Sequence, residues 1–313
     1  MDGLILAYKP QNITSHDVVV KIRNILNTKK VGHYGTLDPL ATGLLLIAVG
    51  KATKLFPYFS KTDKVYKGRI RLGFSTDTYD STGKPSSSES KKYPEKASLA
   101  NAMKKFEGRI QQIPPPYSAK KYKGKPLYEL ARKGKEFELR PAQLFIHFFR
   151  LISYNPPFIE CEIKCSSGTY VRSLAHDLGQ IIGCGAHLYE LLRTQVGNFQ
   201  LKESFPIEKI NQLAQEGKIK KFLIPLEFLL PEFPKVILQD RGSALVKNGN
   251  IVFAENILKM IQGEPFSSCN SGEKEKIFRL FNLDGKLLAL AKKVPEKNGF
   301  HPFLVIDSEE GRP

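Results

Sequence analysis

Residues 42–49 read TGLLLIAV, and every side chain from Leu44 to Val49 is apolar. A strand with one wet face alternates apolar and polar residues. An unbroken apolar run of this length predicts a strand covered on both faces. A chain that carries it must therefore supply cover on both sides of a sheet.

The residues just before this strand are GHYGTLDPLA, and Asp38 is the lone charge between Gly32 and Gly50. A phosphate loop is the first reading to test, because glycines flank the apolar run and Lys51 follows it. It fails: six residues rather than four separate Gly43 from Gly50, Ala52 follows the lysine, and the stretch between reads as a strand. Asp38 before Pro39 could be a turn residue that bonds nearby backbone. On spacing alone that reading is favoured over a reacting carboxylate.

The segments on either side predict an α+β chain. GLILAYKP is a short strand ending at Pro10, and Thr14 or Ser15 can cap a helix through about Asn27. VYKGRIRLG alternates, with Lys67, Arg69 and Arg71 on one face and Tyr66, Ile70 and Leu72 on the other. Residues 75–92 are polar and turn-rich and predict a surface loop. Ser98 can cap a helix bearing Leu99, Met103 and Phe106. Strands are expected near 142–152 and 158–165, and SSGTYVRSLAHDLGQIIG reads as a strand end feeding a helix. AHLYELLRTQVGNF returns to strand character.

At 313 residues two domains are expected. PLEFLLPEFPKV is punctuated by prolines and coincides with a shift in charge, which places the boundary between 1–232 and 233–313. The whole chain carries a net charge of +17. Residues 233–313 hold 12 Lys/Arg and 10 Asp/Glu, which leaves 36 and 21, a net of +15, for residues 1–232. A polyanion, with nucleic acid the first candidate, is thus expected mainly on the first domain. From Tyr117 to Arg140 eight Lys/Arg stand against three Asp/Glu, with Tyr117, Tyr122 and Tyr128 among them. Such interleaving suits phosphate neutralisation and stacking on unpaired bases; the plainer alternative is a solvated basic loop.

The four cysteines form no C-x-x-C pair, and Cys161 and Cys165 alternate with Ile163 as core residues would. Cys184 with His187 has no second ligand pair, so no metal is expected. The opening MDGLILAYKP has no basic leader, and the longest apolar stretch falls far below membrane-helix length. The expectation is a cytoplasmic protein with no membrane partner and no cofactor.

GHYGTLDPLATGLLLIAVGKATK resembles the active-site motif of the TruB family of bacterial tRNA pseudouridine-55 synthases. KPQNITSHDVV, DKVYKGRIRLGFSTDTYDSTG, IPPPYSAKKYKGKPLYELAR, CSSGTYVRSLAHDLG and GCGAHLYELLRTQVG resemble its other motifs, in order, across about residues 4–205. Asn12 stands where that family usually has glycine, and Asn is the next most tolerant residue of a left-handed backbone. The resemblance of the tail to a small PUA-type domain is much weaker.

The resemblance implies a pseudouridine-synthase-type mixed sheet flanked by helices, with a small C-terminal β-rich, PUA-like RNA-binding domain. It implies isomerisation of uridine 55 in the T-loop of tRNA by base flipping. Asp38 would be the catalytic residue, acting as nucleophile or base, and Arg172 its charge partner. Tyr66 would stack on the flipped uracil, Tyr170 and Leu191 would line its pocket, and His33 would contact the RNA. Lys120, Lys121, Tyr122, Lys123 and Arg132 would belong to an RNA-gripping insertion at 117–140. The implied partner is the tRNA T-arm, bound by a monomer, and the same binding would serve tRNA folding. The rivals are a catalytically silent RNA-binding protein and a synthase with another RNA target. Neutralising Lys120, Lys121 and Lys123 together is expected to weaken tRNA binding and flatten its salt dependence in titrations at several salt concentrations. An unchanged slope would remove the segment from the interface.

Overall fold

The computed structural model describes residues 1–115, 141–263 and 277–306, with the backbone of 121–122 and 125–126. Lys120, Lys123 and Arg132 lie outside the described residues, as do the side chains of Lys121 and Tyr122, the stretch Leu127–Lys133, whose sequence predicts a short helix stopped by Gly134, and Cys269.

The apolar run becomes the strand β3 (Thr42–Val49), flanked by β1 (Gly3–Lys9) and β2 (Val31–Tyr34). Leu44, Leu46 and Ala48 point to one core, and Leu45, Ile47 and Val49 to another. The second core is closed by the helix α1 (Ser15–Ile25), through Val18, Val19 and Ile22, and by a helix at Ile207–Gln215. Thr14 caps α1 in a reciprocal capping box with Asp17. The first core is shared with the C-terminal part, whose Phe281, Leu287, Leu290 and Ile306 press on Leu4, Leu6 and the β3 leucines. Both faces of β3 are thus covered, which is why no polar residue interrupts it.

β3 sits within an eleven-stranded mixed sheet. Beyond it come β4 (Lys64–Leu72), β5 (Gly108–Gln112), two short strands β6 (Lys121–Tyr122) and β7 (Lys125–Pro126) that pair with each other, β8 (Ala142–Asn155), β9 (Phe158–Cys165) and β10 (Ala186–Val196). The order runs Phe205–Pro206, β1, β3, β10, β4, β9, β8, β5. β3 and β10 run parallel, and every other neighbour from β1 to β5 is antiparallel. Helices α2 (Phe56–Phe59), α3 (Lys96–Lys104) and α4 (Val171–Ile182) follow in chain order; α3 and α4 pack against the β4–β9–β10 half of the sheet. Cys161 and Cys165 are buried in that core. A second sheet of six strands begins at Lys235 and forms the β-rich C-terminal part.

Two local expectations are corrected. α3 starts at Lys96, with Glu95 at its N-cap position, so Ser98 lies inside the helix rather than capping it. Residues 75–92 are not wholly a surface loop, since Ser75, Thr76 and Asp80 are buried.

Gly43 marks the point where β3 meets β10. Its φ is +106°, and a Cβ there would run into the Arg193 carbonyl oxygen and amide. Gly285, in a hairpin turn, also has positive φ but open space around it. Gly43→Ala is therefore expected to cost about 2 kcal/mol or more in urea denaturation, from overpacking added to backbone strain. Gly285→Ala meets only the strain, and an equal loss in both variants would contradict the close-approach account.

Candidate active site

Asp38 lies on the seven-residue loop between β2 and β3, and that loop is held on several sides. Ser15, at the start of α1, accepts a hydrogen bond from the Leu37 amide at 2.8 Å and donates to the Leu37 carbonyl at 3.1 Å. Asn12 takes a left-handed conformation at φ +66°, so the turn expected there forms, and its amide donates to the Pro39 carbonyl at 2.9 Å. Lys9 reaches the same carbonyl at 3.4 Å. Arg193, on β10 and only 1% exposed, donates to the carbonyls of Leu44, Thr36 and Gly35 at 2.7, 3.4 and 3.2 Å. A loop whose carbonyls are gripped in this way has little freedom to move its carboxylate.

Arg172 faces Asp38 from the first turn of α4. Its Nε lies 2.9 Å from Asp38 Oδ2, with the arginine side chain 5% exposed and the aspartate 36%. The start of α4 is fixed by Gln112 at the end of β5. The Tyr170 amide donates to Gln112 Oε1 at 2.8 Å, and Gln112 Nε2 donates back to the Tyr170 carbonyl at 3.1 Å. A second carboxylate stands behind the arginine: Asp80 Oδ2 is 3.4 Å from the Arg172 guanidinium. The other oxygen of Asp80 accepts from Thr78 Oγ1, the Thr82 amide and Thr82 Oγ1, at 2.8, 3.0 and 2.6 Å.

These elements enclose a cavity of about 190 Å³ lined by Asp38, Tyr66, Tyr170, Arg172, Leu191 and Arg193, with Lys64 and the 166–169 loop at its edge. Asp38, Arg172 and the three residues expected around the base, Tyr66, Tyr170 and Leu191, therefore meet in one place. His33 does not line the cavity; it sits on β2, beside the Gly35 backbone.

The electrostatics separate the groups. Burial pushes the Asp38 carboxyl above its ordinary value, with Arg172 opposing and Asp80 adding to the rise. Burial pushes Tyr66 up to about 12, so it is a neutral phenol at physiological pH. Lys9 and Lys64 are both pulled down to about 8 by burial. Burial also lowers His33, helped by Arg193, and favours its neutral imidazole.

The sequence reading missed Asp80, Arg193, Lys9 and Lys64. Asp80 lay inside a quoted motif, TDTYDSTG, but its polar neighbours made it look like loop surface. Arg193 and Lys64 sit on strands where alternation does not distinguish a buried cation from an exposed one. Geometrically, the site can hold a flat ring between tyrosine and leucine side chains and present a carboxylate to one edge of it.

A group whose folded pKa is raised contributes stability that is full below its unfolded value and is lost as pH climbs through the folded one. For Asp38 that loss starts above the ordinary 3.8. Asp38→Asn is therefore expected to gain stability relative to the parent chain as pH rises from about 4 upward, as read by urea midpoints. A relative loss over that range would contradict the sign.

The N-terminal domain model of the TruB family of pseudouridylate synthases matches residues 23–171, and the tRNA pseudouridylate synthase B C-terminal domain matches residues 172–231. The tRNA pseudouridine synthase B of Solibacter usitatus is 39% identical, covering 98% of this chain and 100% of its own. That of Clostridium tetani is 41% identical, covering 90% and 99%. Among solved structures, a chain of an H/ACA RNP bound to a substrate RNA containing 2′-deoxyuridine superposes with a TM-score of 0.72 at 23% identity. It covers 98% of this chain and 86% of that one, and so shares the fold. Sequence match and fold agree: the chain belongs to the TruB family of pseudouridylate synthases.

Proposed function

We propose that this chain isomerises uridine 55 in the T-loop of tRNA to pseudouridine, with Asp38 as the reacting group. The observation that carries the reading is the Asp38–Arg172 pair, 2.9 Å apart, on the wall of a cavity lined by Tyr66, Tyr170 and Leu191. A carboxylate at a buried position is costly unless it is paired, and this one is paired and aimed into open space. The cavity is smaller than the ~300–1,000 Å³ typical of drug-sized pockets, in keeping with a single base.

The target base must leave its stack to reach the cavity, at a cost of a few kcal/mol offset by stacking and edge contacts in the pocket. Tyr66 and Tyr170 supply the stacking surface, and Leu191 closes the apolar wall. Ionised Asp38 acts at the ribose as nucleophile or base while the bond from uracil N1 to C1′ breaks. The base turns, C5 bonds to C1′, the C5 proton leaves and N1 gains one, so the product is an isomer. His33 contacts the RNA outside the cavity and holds the flipped state. Residues 117–140 grip the T-arm, with Lys120, Lys121, Tyr122, Lys123 and Arg132 as contacts. The chain acts as a monomer in the cytoplasm, with the domain division at 232/233 and the C-terminal part as an RNA-binding module. Among the described residues no helix is long and apolar enough to cross a membrane.

The test is pseudouridine mapping in a T-arm transcript incubated with the purified chain and with Asp38→Asn. The parent chain is expected to modify one uridine, and the variant none, while RNA affinity stays within about threefold, a few tenths of a kcal/mol. Turnover retained by Asp38→Asn would overturn the assignment.

A further inference from the structure

Residue 79, in the turn between β4 and α3, takes a left-handed backbone at φ +65°. Glycine or asparagine adopts that conformation readily, and an aromatic residue seldom does. Among the described non-glycine residues with positive φ, three are asparagines, and Leu230 and Tyr79 are the departures. Leu230 is buried in the core shared with the C-terminal part. Tyr79 is half-buried, and its ring lies flat on the His176 imidazole, with centroids 3.8 Å apart and planes 16° apart.

His176 follows Arg172 by four residues on α4, so the two side chains stand one turn apart on one face of the helix. That face holds three consecutive residues of the turn. Arg172 donates to the Thr78 carbonyl at 3.3 Å and pairs with the Asp80 carboxylate at 3.4 Å, and His176 takes the Tyr79 ring between them. β10 holds the backbone of the same turn: the Leu188 amide donates to the Tyr79 carbonyl at 3.0 Å, and the Ser81 amide donates to the Leu188 carbonyl at 2.9 Å. His176 Nδ1 is buried without a hydrogen bond among the described residues, so that nitrogen does not orient the ring. Burial lowers the imidazole below its ordinary value, so no second cation competes with Arg172 for Asp80.

The left-handed residue decides where the next side chain goes. Asp77, before the turn, is exposed, whereas Asp80, just after residue 79, is buried. A tyrosine that lost its stack would lose what offsets its strained backbone, and relaxing to negative φ would re-aim residue 80.

We infer that Tyr79 and His176 are positioning residues: their stack keeps residue 79 left-handed and so aims Asp80 at Arg172, which faces Asp38. The inference rests on the proposed function for its effect on rate, but not for its effect on Arg172.

The test uses the full chain and a T-arm transcript, read by single-turnover rate at saturating protein and separately by RNA affinity. His176→Leu keeps an apolar side chain without a flat ring. It is expected to lower the rate about tenfold or more, the scale of a slightly displaced reacting group, and to leave affinity unchanged. His176→Phe restores a flat ring and is expected to match the parent. The Arg172 Nε–H, followed by NMR hydrogen exchange, is expected to exchange faster in His176→Leu and at the parent rate in His176→Phe. Parent-like turnover and exchange in His176→Leu would overturn the inference. So would equal losses in the two variants, a change in affinity alone, or a lower rate with Arg172 exchange unchanged. Absence of pseudouridine with the parent chain would overturn the proposed function instead, and Arg172 exchange in the two variants would still decide the stack.

Discussion

The Arg172 guanidinium is shared by two carboxylates, and the arrangement of the site follows from how unequally they are held. An arginine buried to this degree costs several kcal/mol unless it is paired and hydrogen-bonded. Asp80 answers that need from behind. One of its oxygens is saturated by Thr78 and Thr82, which leaves the other for Arg172. Asp38 faces the same arginine from the open side and keeps about a third of its side chain exposed (36%). One carboxylate fixes the cation, and the other is fixed by it while still reaching the cavity. Three segments distant in sequence must meet for this to happen: the loop after β2, the loop after β4 and the first turn of α4.

The backbone around Asp38 is held by cations that are themselves buried. Arg193 and Lys9 spend their donors on carbonyls of the 35–39 loop and its neighbours. Those bonds replace water and let positive charge sit inside the fold. Of these two, Lys9 also favours an ionised Asp38, after Arg172. Burial works the other way on the carboxylate and raises its pKa. The site therefore holds a carboxylate in place against the preference of the fold, as the proposed reacting role of Asp38 would require.

Much of this was legible in residue pattern. The β3 run announced a strand with two cores, and both cores are there. Thr14 was one of the two candidate caps of α1 and is the one used, and Asn12 sat where a left-handed turn was needed. The site residues came from motif resemblance rather than from periodicity, because alternation on β4 marks Tyr66 only as inward-facing. Asp80 was illegible for a physical reason. A polar, turn-rich stretch is normally solvated, and only a buried guanidinium from α4 turns it inward. Arg193 was hidden likewise, since its partners are carbonyls up to 158 positions away. The end of α1 fell two residues short of Asn27, where the chain turns with positive φ.

The central claim is that Arg172 keeps Asp38 ionised inside a pocket that disfavours the charge. It is tested most directly by following the Asp38 carboxyl carbon by NMR through a pH titration, in the parent chain and in Arg172→Gln, with both shown to be folded. The account predicts that the titration midpoint of Asp38 moves to higher pH when the guanidinium is removed. An unchanged or lower midpoint would contradict it, and the source of the charge on Asp38 would have to be sought in Lys9.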